Sequence, residues 1–259
     1  MMERVIAVVD IDEQQRKEKK EMKDLFNDPL FAGAEFFFKA PAEKWTDEIA
    51  AHEAGHCVAL VAAGLADEFV SATIVPQGGV QGLTVRSGES LARLSMGFAE
   101  HAARLGDLLR LEEAKRAFRE FLMTAPEVCL PHLCFYFGGG SMDRYLQRDN
   151  PARNSVDMNV IGSMVVPAMA IPAISVGELA EIQKKVDEFL WMVFDDEDCM
   201  IEGFYDELCD KRVIDRSDFD QILKGSFLGL TDESHEKYSE LLSWFRDWHA
   251  RKLESTPFV

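Results

Sequence analysis

Positive charge is what this chain of 259 residues most lacks: 28 lysines and arginines face 46 aspartates and glutamates, a net charge of −18. That balance argues against a nucleic-acid backbone or an anionic membrane surface as partner, because either would repel the chain. Cysteine is sparse as well. The five (Cys57, Cys129, Cys134, Cys199, Cys209) are odd in number and scattered, with no C-x-x-C pair. This excludes a regular disulfide framework and suits a reducing, cytoplasmic setting. The apolar stretch within residues 1–10 is too short for a signal peptide and meets Asp10 and Asp12 at once. Long apolar runs are nearly missing. The one uncharged run, residues 158–177, is interrupted by Asn159, Gly162, Ser163, Pro167 and Pro172. Two prolines would break a spanning helix twice, so a buried helix followed by a proline-marked bend is expected, and no membrane span. No G-x-x-x-x-G-K-[S/T] loop occurs, so these residues carry no P-loop for ATP. No internal repeat is visible.

What is present is enough apolar side chain, 47% of residues, for one sizeable core with or without appendages. Periodicity predicts a mainly α fold with a small β-hairpin or sheet, an α+β class. Residues 1–45 read as an N-terminal extension, with a short strand, a charge-dense solvated helix over 11–27, and an aromatic cluster at Phe31 and Phe36–Phe38. Residues 46–225 read as the main domain, and 226–259 as a C-terminal helical extension carrying Trp244, Phe245 and Trp248.

The main domain opens on residues 48–63, which contain His52, Glu53 and His56 in an H-E-x-x-H spacing. Thr46 is the expected N-cap and Gly64 the expected C-terminal stop. On a helix, two imidazoles four residues apart project from one face, and both ring nitrogens can reach a single zinc ion at about 2.0–2.1 Å. Glu53 can lie beside the ion and take a proton from a zinc-bound water. The rest of the segment is apolar nearly all round, so these polar groups should be buried and need partners. Cys57 is rotated off the ligand face and reads as a small buried apolar group.

Residues 69–75 are β-branched enough for a strand, and 80–85 for a second, joined by a turn with Gly78 and Gly79. Such a strand could receive an extended peptide at its edge, with Thr73, Ile74, Val75, Gly78 and Gly79 as the contact residues. Residues 91–123 are expected to be helical. Pro126 and Pro131 should bracket a helix start ahead of the apolar stretch 132–137 and the glycines 138–140. Leu179, Ile182, Val186, Phe189, Leu190 and Val193 form one helical stripe, and residues 200–209 should continue as helix. Ser217 is the expected cap of a short helix to residue 223. A catalytic zinc needs a third protein ligand. By chemistry Glu100, His101, His132, Asp143, Asp157 and Glu178 all qualify, and spacing alone does not choose.

Residues 46–59 around H-E-A-G-H, the strand 71–76 with T-I-x-P, and G-x-T at 82–84 resemble the peptidase domain of the FtsH-type zinc proteases. The Gly-Gly segment at 138–140, residues 154–164, and the closing stretch 200–223 resemble that family too. The resemblance implies Zn²⁺ held by His52, His56 and, through the Asn154–Asp157 stretch, Asp157, with Glu53 as general base. It implies a metallopeptidase acting on peptides or unfolded proteins. Two features depart from the family: the ATP-driven unfoldase is lacking, and Gly-Gly is not followed by Arg-Ala-Ala-Glu. A separate ATPase or adaptor would then deliver substrates, and any oligomer would have to form without the unfoldase ring. The competing expectation is a non-catalytic binding or regulatory module that keeps the fold, with or without the metal.

Overall fold

The computed structural model describes residues 46–76, 81–105, 110–148, 154–169, 171, 174–226 and 231–254. The expectations for residues 1–45, Gly78, Gly79 and Pro172 lie outside these. The described chain is mainly helical with one small three-stranded antiparallel sheet, the α+β class expected from periodicity.

Helix α1, Glu48–Ala62, carries the H-E-x-x-H motif. Its cap is Asp47 rather than the expected Thr46. Asp47 has extended backbone, and its carboxylate accepts from the Ile49 and Ala50 amides, both at 3.0 Å. Those amides lie two and three residues beyond the cap, the reach a short side chain has. Gly64, at φ 75°, ends the helix as expected. Leu65 N–H returns to the Leu60 carbonyl and Gly64 N–H to Val61, the paired bonds of a Schellman turn.

Strand β1, Phe69–Thr73, and strand β2, Leu83–Arg86, form the expected hairpin with shorter bounds. A third strand, β3, Val213–Ile214, was not anticipated, because two residues are too short to show a period. It pairs with Ala72 and Thr73, giving the order β2-β1-β3. The row Thr84, Ala72, Ile214 is buried, while Leu83 and Val213 of the adjacent row are exposed.

Helices α2, Glu89–Arg104, and α3, Leu111–Leu122, fill the region expected to be helical. Helix α4, Ala125–Tyr145, runs through both expected punctuation marks. Pro126 sits in its first turn and Pro131 inside it. The carbonyl that Pro131 leaves without an N–H belongs to exposed Glu127, where water can serve it. The uncharged run forms no single helix. It is divided into α5, Ser155–Val160, a π turn at Ile161–Val165 and a helical turn at Val166–Ala168. No described helix is long and apolar enough to cross a membrane.

Helix α6, Val176–Asp196, buries the stripe Ile182, Val186, Phe189, Leu190, Val193, with Leu179 at its margin. The expected continuation breaks at Glu197 before α7, Asp198–Lys211. Helix α8, Arg216–Gly225, is capped by Asp215 in a capping box with Asp218, not by Ser217. Helix α9, Asp232–Glu254, lays Leu241, Phe245, Trp248 and Leu253 into the same core, against α4 and α6.

The contact that positions everything else is α1 against α4. A Cβ on Gly138 would lie 2.6 Å from the Ala59 Cβ and 2.8 Å from the Gly55 carbonyl oxygen; one on Gly55 would lie 2.6 Å from the Met142 Cβ. The two backbones touch because neither helix has a side chain at the crossing. Alanine at 138 would gain about 1 kcal/mol of helix propensity and lose roughly 2–3 kcal/mol, the upper part of the overpacking range, because the Gly55 carbonyl it meets is backbone. Gly138→Ala is therefore expected to lower stability by about 1–2 kcal/mol in urea unfolding, and a variant as stable as the parent would contradict the crossing.

Candidate metal centre

Three of the sequence-selected side chains converge. His52 and His56 sit one turn apart on α1, each 3% exposed, and Asp157 reaches in from α5. Nε2 of His56 is 3.2 Å from Nε2 of His52 and 3.4 Å from Oδ2 of Asp157; His52 Nε2 is 3.8 Å from that oxygen. Ligands on a tetrahedral ion at about 2.0–2.1 Å stand about 3.3–3.4 Å apart. The triangle therefore has the size of one face of such a site.

The other ring nitrogens fix the tautomers. His56 Nδ1 lies 2.7 Å from the Phe135 carbonyl oxygen, which only accepts, so Nδ1 carries the proton. His52 Nδ1 lies 2.9 Å from Oδ2 of Asp143 and donates to it. In the neutral rings both Nε2 atoms are then bare lone pairs facing each other and a carboxylate. Three electron-pair donors with no proton among them repel, and a cation at their centre removes the conflict. The donor set of two imidazoles and one carboxylate fits a divalent transition metal.

Gly139 of α4 makes the triangle accessible. A Cβ there would lie 2.5 Å from Nε2 of both His52 and His56. Gly140 bears in the same way on Asn154, three residues before Asp157. The run Gly138–Gly140 thus admits in turn the α1 backbone, the imidazoles and the start of α5.

Glu53 stands beside this group and outside it. It is 4% exposed, and Oε2 accepts a 2.7 Å hydrogen bond from Thr84 Oγ1. Burial raises its pKa, opposed in part by His56, His52 and Thr84. Burial works against charge on His52 too, yet hydrogen bonds to Asp143 and Asp157, with Glu53 nearby, raise it to about 9. His56 is raised against its burial mainly by Asp157, and Asp157 in turn is held well below the usual carboxylate range by the two histidines. Without a metal, protons take its place.

The remaining ligand candidates are occupied elsewhere. His101 stacks on Phe121 at 4.7 Å. His132, fully buried, meets Ser90 Oγ at 2.9 Å. Glu178 closes the capping box of α6 and pairs with Lys252. Glu100 is exposed on α2 and is absent from the cluster. Asp143 orients His52, a supporting part that spacing alone did not reveal. Thr84 was read as a strand residue and as the end of the G-x-T match, with no role at the site.

The expected peptide-binding strand is the central one. Thr73 pairs with Leu83 on one side and Val213 on the other, and Ile74 N–H donates to the Arg212 carbonyl at 3.0 Å. Thr73 Oγ1 donates to the same carbonyl and accepts from Val75 N–H. Thr73 and Ile74 therefore offer no open edge, which corrects that expectation. Among the described residues β2 is paired on one side only, and it passes next to Glu53.

No family model matches this sequence, and no curated protein matches it.

Metal uptake requires His52 to be neutral. Its raised pKa means that the metal-free ring is protonated at about pH 7, and that affinity climbs as pH rises towards about 9. Calorimetric titration with zinc in buffers of differing ionisation enthalpy is expected to show about one proton or more released per metal near pH 7. Release of none would contradict the assignment.

Proposed function

We propose that this chain is a zinc-dependent metalloendopeptidase domain of FtsH type, acting on unfolded or partner-delivered polypeptides. The observation that carries the reading is the meeting of two imidazole Nε2 atoms and one carboxylate oxygen, with a separate buried carboxylate alongside. A structural site would use four protein ligands; three with a free glutamate beside them is the catalytic pattern. The resemblance around H-E-A-G-H, G-L-T and Asp157 supports it from the sequence side.

His52, His56 and Asp157 would hold zinc. When bound there, zinc supplies a Lewis acid that polarises a peptide carbonyl and makes water more acidic. The chain's own side chains do the rest. Asp143 and the Phe135 carbonyl keep the imidazoles in the ligating tautomer. Glu53, whose burial favours holding a proton, takes one from the attacking water and returns it to the leaving amine. An extended substrate would pair with the outer edge of β2 and lie across the face of Glu53. The acidic chain favours neutral or basic peptides over nucleic acid. No P-loop occurs in the sequence, so unfolding of a folded client would fall to a separate ATPase or adaptor in the cytoplasm.

Glu53→Gln keeps the shape of the side chain and removes the base. It is expected to retain one zinc and lose β-casein cleavage by about 10²-fold or more. Undiminished cleavage would refute Glu53 as the base.

A further inference from the structure

We infer that Thr84 of β2 and Gly82, the residue that leads into it, are positioning residues for Glu53, so that one extended segment both aligns the substrate and aims the base. The inference rests on the peptidase reading above. Two independent contacts carry it. Thr84 Oγ1 donates to Glu53 Oε2 at 2.7 Å across a fully buried contact, fixing one oxygen of the carboxylate. On the other side, a Cβ at Gly82 would lie 2.5 Å from Glu53 Oε1, 2.9 Å from its Cγ and 2.8 Å from the Ile49 Cγ2. The missing side chain at 82 leaves the second oxygen its place. Leu83, between them, points the opposite way and is 40% exposed.

The alternation of a strand thus sets the two odd-out positions, 82 and 84, against α1 and leaves 83 towards solvent. Without the hydroxyl, a buried carboxylate would turn to find another donor, since an unmet buried acceptor is costly. Without the glycine, Oε1 would be pushed from its position. In both cases the metal ligands keep their own supports, Asp143, the Phe135 carbonyl and Gly139, which do not rest on Gly82 or Thr84; β2 meets helix α4 through Arg86, whose guanidinium lies over the Phe135 ring and donates to Tyr136 Oη. Loss of alignment therefore shows in turnover and not in metal content. Because β2, among the described residues, is unpaired on the side away from β1, a peptide that shifts this strand shifts the base with it.

The test uses the full chain loaded with zinc, with a fluorogenic derivative of unfolded β-casein as substrate. Thr84→Val has nearly the same shape and removes only the hydrogen bond. It is expected to keep one zinc per chain, leave KM within about twofold, and lower kcat by about tenfold or more, as a base displaced by an ångström does. Thr84→Ser restores the hydroxyl and is expected to return kcat to within about threefold of the parent. Gly82→Ala is expected to lower kcat in the same way with zinc retained. If the parent cleaves and Thr84→Val cleaves equally well, the positioning role is overturned while the peptidase reading stands. If the valine variant is slow and serine fails to rescue it, the hydroxyl is not what aims Glu53, and the inference is overturned as well. If the zinc-loaded parent cleaves nothing, the peptidase reading falls and takes this inference with it.

Discussion

The close crossing of α1 and α4 is the constraint on which the rest depends. Most helix pairs are held about 8–10 Å apart by interposed side chains. Here Gly55 and Gly138 remove them, and each would-be Cβ meets the facing helix at 2.6 Å. The intimacy has a chemical consequence. It puts the Phe135 carbonyl of α4 within 2.7 Å of His56 Nδ1 and the Asp143 carboxylate within 2.9 Å of His52 Nδ1. Helix α4 thereby sets the protonation of both rings, and Gly139 leaves their other nitrogens uncovered. A larger residue anywhere in the glycine run would separate the supports from the ligands.

A buried helix carrying two histidines and a glutamate would be a poor choice for stability alone. Taking such groups out of water costs free energy unless each finds a partner. The surroundings supply one for Nδ1 of each ring and for one oxygen of Glu53, while the two Nε2 atoms face each other and Asp157. The acidic groups nearby make protonation the default without a metal, as the elevated His52 pKa shows. In the proposed reading the site exchanges protons for a cation. Glu53, held by Thr84, stays off the ligand triangle and remains available as a base.

Much of this was legible in the sequence where a single residue type at a single spacing decides the outcome. His52 and His56 four residues apart, the apolar surface of α1, Gly64 at its end and the stripe on α6 all follow from helical geometry. Asp157 was selected by resemblance and lies in the triangle. What was not legible depends on contacts between distant segments. The strand β3 is two residues long and carries no period. The neighbour relation of β1 to β3 made Thr73 central, though its composition reads like any edge. Asp143 and Thr84 act only through partners 91 and 31 residues away. Caps at Asp47 and Asp215 outcompeted the neighbouring Thr46 and Ser217, a choice of one position that backbone direction decides. The glycines at 138–140 stood out in the sequence only as part of the resemblance, because their use as a contact surface shows only when α1 is laid on them.

The central claim is that α1 and α5 close two imidazoles and a carboxylate around one metal. X-ray absorption at the zinc edge of the loaded protein reads that shell directly. The account predicts two imidazoles and oxygen ligands at about 2.0–2.1 Å, with the outer-ring scattering of histidine and no sulfur. A sulfur shell at about 2.3 Å, or a shell without two imidazoles, would contradict it.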